Sequence, residues 1–344
     1  MRDFLRDNWF VVVIAVVIIG FVSYFIYDST KYNVSGTTSD GEDVVASTNK
    51  GDVTADDLYD EMSASDSSLL YNLYRNEVVD QSIETTDDLQ QDADDLKDQI
   101  DSTAEQQVSD YKSYLGQELA AYGYNGYDEL DDYCLMSVKQ KEMNRRYVKK
   151  HYDDLKKAVE DQNPRTISII QISVSDPDNL TSDEQKKKDN IDSALSKQSF
   201  AKTATAYSED STASDEGVYG YVDGKTTESS SSSLDESVIN AALDLKKGET
   251  SDWITVTDSD SGTSYLYKVH VDETDLNKIY KSKNDTIKDQ VLNAFLTDNT
   301  GLEYTVVQSY AKKLDIKLSK STKKKINAYI EEQKKGDDSS DEEN

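Results

Sequence analysis

Hydrophobic positions along the chain fall into three regimes. Trp9 to Tyr27 is an unbroken run of 19 residues without a charge. A helix over it would span about 28 Å, close to the hydrocarbon thickness of a bilayer. From Leu69 onward the apolar positions return at helical spacing. Leu69, Leu70, Leu73, Tyr74 and Val78 make one stripe, and Tyr111, Leu115, Leu119 and Tyr122 make another, closed by Gly123. Leu130, Leu135, Val138, Met143 and Tyr147 mark a long helix predicted over 127–155. At Thr166 the period changes to two. Thr166–Val174 alternates and is rich in β-branched residues, as a strand requires, and Thr250–Val256 and Tyr265–Val271 read as a closing strand pair. Between them, Ile191, Ala194 and Leu195 mark one helix, Gln198–Ser211 a second that runs into a loop, and Leu234–Glu249 a third. Helical spacing then resumes at Ile287, Val291, Leu292, Phe295 and Leu296, with Asn284 or Asp285 as cap and Gly301 just beyond, and again over Leu302–Leu314.

The long apolar run reads as an uncleaved signal anchor. A cleaved leader has a shorter apolar core and small residues at its end. Here the run ends in Tyr24-Phe-Ile-Tyr27, with Trp9 at the other edge, as in an interfacial aromatic belt. Arg2 and Arg6 precede it, which puts the short N-terminus in the cytoplasm and the rest of the chain outside, in a cell membrane crossed once by residues 9–27. Residues 29–49 read as a flexible stalk. Thr54, with Asp57 three positions on, is a candidate N-cap for the first folded helix. The organisation expected is residues 1–28 as tip and anchor, 29–49 as stalk, 50–162 as an N-terminal helical domain, 163–273 as an α+β domain, 274–330 as helices completing the first domain, and 331–344 as a disordered acidic tail.

Charge narrows the function. The net charge is −30, from 38 basic and 68 acidic residues. Phosphate recognition needs a basic surface, so nucleic acid is excluded as a partner. Residues 51–110 alone carry 18 acidic side chains against 2 basic ones, a solvated helical surface or one attractive to basic partners. Lysines crowd 311–335, solvated or set to meet those acidic helices. The single cysteine, Cys134, sits in a helical apolar pattern as a core residue, and no spacing of Cys, His or carboxylates suits a metal; no cofactor is expected. The serine run Ser229–Ser233 reads as a flexible connection.

The order β-α-α-β-α-β-β over 165–272 resembles the parvulin-type prolyl isomerase domain. Tyr207-Ser-Glu-Asp210 resembles that family's catalytic loop, Glu216-Gly-Val-Tyr-Gly-Tyr221 a worn form of its glycine turn, and Leu245 to Glu249 its "L..GE" helix exit. Gly51-Asp-Val-Thr with Asp57-Leu-Tyr and Glu61-Met62 resembles the opening of the PrsA/SurA-like chaperone domain. The resemblance implies an anchored extracytoplasmic foldase: a parvulin domain inserted in a mostly helical chaperone domain. Its partners would be unfolded exported chains, and a homodimer is compatible with such a molecule.

The same resemblance exposes a departure. Parvulins place one histidine on the first strand and one on the last. Here Gln171 holds the first position and Tyr265 the second, or Leu266 if the strand slips by one. The two histidines, His151 and His270, fall at neither place. Asp210 is retained. The candidate catalytic set is therefore Gln171, Ser208, Asp210 and Tyr265, and the candidate proline pocket Leu234, Val238, Leu266 and Tyr219. Isomerisation of X-Pro bonds needs no covalent step, because the barrier is loss of amide resonance; a polar network of Gln and Tyr could still act on the twisted amide. The alternative is a holdase that binds unfolded chains without isomerase activity.

Overall fold

The computed structural model describes residues 38–39, 42–48, 51–54, 67–226, 234–258, 262–314 and 316–338. The expected membrane segment 9–27, the serine run and residues 339–344 lie outside them. Among the described residues no helix is long and apolar enough to cross a membrane. The chain divides into two units, Met1–Leu70 and Tyr71–Asn344.

In the first unit, strands β1 (Thr38–Ser39), β2 (Glu42–Thr48) and β3 (Gly51–Thr54) form an antiparallel sheet in the order β1-β2-β3. One sequence expectation is corrected here: the stretch 29–49 contains paired strands. Thr54 ends β3, and the residues after it up to 66 lie outside the described ones.

The second unit is mixed helical with one small antiparallel sheet. Its sheet has the order β5-β4-β7-β6, from β4 (Arg165–Val174), β5 (Val218–Val222), β6 (Ile254–Thr257) and β7 (Ser264–Glu273). β4 and β7 are the two long central strands, in register from Val174↔Ser264 to Ile167↔Val271. Around the sheet lie α6 (Ser182–Leu195), α7 (Phe200–Tyr207) and α8 (Glu236–Asp244). Alternation sorts the strand residues onto two faces. Ile167, Ile169, Val269 and Val271 pack with α8 through Leu234, Val238 and Ile239. Ile170, Ile172, Val174 and Leu266 pack with α6 and α7 through Ile191, Phe200 and Ala204. Both sides of the central strands are thus buried, which explains the nearly continuous apolar run of β4.

The remaining helices are α1 (Ser67–Ser82), α2 (Asp87–Gln107), α3 (Tyr111–Ala120), α4 (Leu130–Lys150), α5 (Tyr152–Glu160), α9 (Leu276–Ile279), α10 (Asp285–Asp298), α11 (Leu302–Ala311) and α12 (Lys320–Asp338). Val78, Val79, Met143, Val148, Val291, Phe295, Val306 and Val307 share one core, although they lie on either side of the sheet segment in sequence. Cys134 is buried with Leu119 and Leu130 in a second helical core, and burial pushes its thiol up to about 11, so it is inert at neutral pH. Two helix boundaries differ from the sequence reading. The helix expected over 127–155 breaks at His151, which closes α4 and opens α5 at φ −112° and ψ 19°. α12 runs through Asp338, so the chain does not lose order at 331; Ile326 and Ile330, both buried, anchor that helix.

The sheet meets the helices along β5. The Tyr221 N–H donates to Gln290 Oε1 of α10 at 2.8 Å. Gly220, at φ +127°, makes that approach feasible, since a Cβ there would lie 2.3 Å from the same oxygen.

Candidate functional site

The centre of the α8 face carries the polar group. Gln171 pairs in register with Tyr267, and its Nε2 donates to Tyr267 Oη at 2.6 Å. Because the phenol accepts that bond, its own proton remains to be given. Tyr265 pairs with Ser173, two residues farther along the same face, with its ring 6.3 Å from that of Tyr267.

The loop after α7 closes the other side. The backbone N–H of Gln171 donates to Ser208 Oγ at 3.1 Å, and the N–H of Glu209 donates to the Gln171 carbonyl at 2.8 Å. Ser208 Oγ also accepts from the Asp210 N–H at 3.3 Å. Asp210 then caps the short turn Ser211–Asp215, accepting from the Thr212 N–H at 2.8 Å. This turn leads to Gly217, at φ +83°, where a Cβ would sit 2.6 Å from Ala204 Cβ and 2.8 Å from the Ile169 carbonyl oxygen. Only glycine lets the turn, α7 and β4 come together there.

The floor is α8. Asp235 caps it, accepting from the Ser237 N–H at 2.8 Å. At its other end the buried guanidinium of Arg165 donates to the carbonyls of Ala242 and Leu245, satisfying orphan helix-end acceptors and tying α8 to the start of β4. Tyr219, Leu234, Val238, Tyr265 and Tyr267 belong to one apolar cluster. Burial pushes the Tyr267 phenol above its ordinary value; the Gln171 hydrogen bond opposes this, while nearby Asp210, Tyr265 and Asp235 add to it. The phenol therefore stays protonated through neutral pH.

Of the eight candidate residues, the structure brings seven onto or around this face. Leu266 is corrected: it points to the opposite face, 4% exposed, among Ile170, Ile172 and Phe200, because neighbouring strand residues alternate. Tyr267 was missed in the sequence reading. The signal for it is the Tyr-Leu-Tyr alternation of residues 265–267, which leaves two tyrosines on one face. Neither histidine reaches the site. His270 lies on the α7 side, stacked on Phe200 at 5.1 Å, with Nδ1 2.8 Å from Thr250 Oγ1. His151 stacks on Tyr147 at 4.3 Å in the helical part.

A four-stranded antiparallel sheet with a polar pair on one face and an apolar helix across it is the arrangement that the parvulin resemblance implies, and comparison with known proteins supports a PrsA-like foldase. No family model matches it. Among curated proteins it is similar to the foldase protein PrsA of Bacillus subtilis (strain 168), 26% identical over 295 residues that cover 83% of this chain and 86% of that protein. Among solved structures it is similar to PrsA from Bacillus subtilis, 24% identical with a TM-score of 0.44, covering 83% of this chain and 98% of that one. The foldase protein PrsA from Streptococcus pneumoniae is 19% identical with a TM-score of 0.42, covering 83% and 99%.

Proposed function

We propose that this protein is a membrane-anchored extracytoplasmic foldase that binds unfolded exported chains and isomerises X-Pro bonds at the Gln171–Tyr267 pair. The observation that carries this reading is the 2.6 Å hydrogen bond between those two side chains, across the two strands on which parvulins place their histidines. In this mechanism an X-Pro amide lies over Leu234 and Val238. The Tyr267 hydroxyl, oriented by Gln171, donates to the amide as it twists and loses resonance. Asp210 and Ser208 hold the loop that positions Gln171, and Tyr219 and Tyr265 wall the site. No proton is removed from substrate, so a non-titrating pair suffices. Residues 50–162 and 274–330 serve as the chaperone part, 163–273 as the isomerase part, and 9–27 as the anchor.

A second reading, a holdase without isomerase activity, is favoured by one observation. Leu234 and Val238 are 5% and 0% exposed, so the apolar floor is packed against the sheet and offers a substrate ring little free surface.

The test uses the full chain in detergent, a proline peptide followed without a coupling protease, and an aggregating unfolded client. The first reading expects isomerisation that falls at least tenfold in Tyr267→Phe, with suppression of client aggregation unchanged. Suppression without isomerisation in the wild type selects the holdase. Failure of both sinks the foldase reading.

A further inference from the structure

The sheet and the helices share one buried pair of carboxylates that the proposed isomerase site does not use. Asp298 is the last residue of α10, and its side chain is 1% exposed. Among the described residues, neither of its oxygens has a hydrogen-bond partner. Asp223 follows β5 directly and is 3% exposed.

Their surroundings are unequal. Asp223 accepts from the Tyr221 hydroxyl at 2.8 Å, from the backbone N–H groups of Lys225 and Thr226 at 3.0 and 2.9 Å, and from the Thr226 hydroxyl at 2.9 Å. Four donors satisfy its two oxygens. Asp298 has no donor, and the nearest cation, Lys225 Nζ, stands 3.9 Å from its Oδ1 on a side chain that is 42% exposed. A buried carboxyl group with no donor to its oxygens is favoured when it keeps its proton. The titratable and charged groups facing Asp298 are Asp223 and Tyr221 from β5 and its exit, and Lys225 from the turn. Tyr221 takes no part in the switch, because burial, with Asp223 adding to it, pushes its phenol far up.

We propose that Asp298 is a proton-operated latch: protonated, it lets the end of β5 rest against α10, and ionised, it loosens the sheet from the helical body. The same seam carries the Tyr221 N–H to Gln290 bond and the close approach at Gly220, so loosening it frees the β5 edge of the sheet. A metal bridge is the weaker assignment, because three donors already occupy Asp223 Oδ1 and one occupies Oδ2.

Burial, with Asp223 adding and Lys225 opposing, raises the Asp298 carboxyl from an ordinary 3.8 to about 6. A group raised in the closed form stabilises that form fully below its ordinary value, and the benefit is lost as pH rises through about 6. If the loosened state returns Asp298 to 3.8, the opening constant grows about tenfold between pH 5 and pH 7.5.

The experiment is hydrogen exchange on the full chain at both pH values, corrected for intrinsic rates, read at the amides of β5 and of the last turns of α10. Central β4 and β7 amides serve as the internal control. The wild type should open about tenfold more at pH 7.5, relative to the control. Asp298→Asn should open equally at both. Lys225→Gln, an exposed change that does not threaten folding, should steepen the wild-type dependence. The proposal is overturned by equal pH dependence in wild type and Asp298→Asn, or by no steepening in Lys225→Gln. It is also overturned if millimolar calcium or magnesium at pH 7.5 closes the wild-type seam and leaves Asp298→Asn unaffected, which would make the pair a cation site.

Discussion

The two faces of the four-stranded sheet are both apolar, yet they spend their polar residues differently. On the α8 side, Gln171, Tyr265 and Tyr267 gather at one end of an aliphatic cluster, where the Gln171–Tyr267 pair bonds side chain to side chain. On the α6–α7 side, each polar group is tied to its own local partner. Ser168 Oγ donates to Asp272 at 2.8 Å, Lys268 Nζ donates to the Ser251 carbonyl at 3.1 Å and lies over the Trp253 ring, and His270 is held by Thr250 and Phe200. Trp253 in turn donates to Asp192 of α6 at 3.1 Å. A set of unlike partners scattered across a face stabilises packing. A convergent pair with a proton left to donate is suited to chemistry. The difference teaches that His270 is held among local packing partners, and that the proposed isomerase site lies on the other face.

The largest break in this comparison is Gly217→Ala. The new Cβ would meet the Ile169 carbonyl and Ala204 in a backbone conformation that L residues avoid. Backbone strain and overpacking add, so the cost should be roughly 3 kcal/mol or more. Urea denaturation should show it as a lower midpoint with an unchanged slope. Because Gly217 joins α7 to β4, the α8 face loses the Ser208–Asp210 loop at the same time, and isomerisation should fall with stability. A variant with wild-type stability would show that the turn can move away at little cost.

Exchanging chemistry between the faces comes next. Tyr267→Phe removes the acceptor of the Gln171 amide and should cost about 1 kcal/mol while removing activity. His270→Phe keeps the stack on Phe200 and loses only the Thr250 contact, so its stability loss should not exceed about 1 kcal/mol and its activity should equal the wild type. If His270→Phe abolishes isomerisation and Tyr267→Phe does not, the functional face has been assigned backwards.

How much of this contrast the sequence carries depends on what sets each feature. The strand at 165–174 is legible because nearly every residue is β-branched or apolar, and the helices at 182–195 and 236–244 because their caps, Thr181 and Asp235, precede apolar spacing. Register is not legible. Whether Gln171 faces Tyr265 or Tyr267 depends on where β7 begins to pair, and a shift of two residues keeps every side chain on its face. Hence Tyr265 was set opposite Gln171 where Tyr267 stands, and Leu266 was assigned to a pocket that it faces away from. The strands at 38–54 were hidden for another reason: they are short and polar, and pairing alone distinguishes them from coil. Asp298 and Asp223 stand 75 positions apart in sequence, and their pairing has no local signature.

A gentler contrast is in pH. Tyr267 titrates above its ordinary value because it is buried, so its phenol stays uncharged between pH 5.5 and 8. Isomerisation should stay level across that interval. The sign at high pH also follows. A phenol raised in the folded state stabilises it below the ordinary value and loses that contribution as pH climbs past it, so activity and stability should decline together only in strongly alkaline solution. A bell-shaped profile centred near neutrality would show that a histidine reaches the amide.

The smallest effect separates the helices that back the two faces. α6 begins with a reciprocal cap: the Glu184 N–H donates to Thr181 Oγ1 at 3.3 Å, and the Glu184 carboxylate accepts from the Thr181 N–H at 2.7 Å. Donation from the N–H and hydroxyl of Thr181 and from the N–H and hydroxyl of Ser175 brings the Glu184 carboxyl down to about 2. A depressed carboxyl contributes above its ordinary value and stops contributing as pH falls toward its folded one. The cap of α8 is a single residue, Asp235, with no reciprocal partner at Val238. Glu184→Gln keeps the shape of the cap and removes its charge. It should therefore lower the melting temperature by a few degrees at neutral pH and by progressively less as pH falls through about 2. Since α6 backs only the face without the Gln171–Tyr267 pair, isomerisation per folded molecule should not change. A loss of activity with the cap intact in shape would mean that the two faces are mechanically coupled through β4, and the division of labour between them would fail.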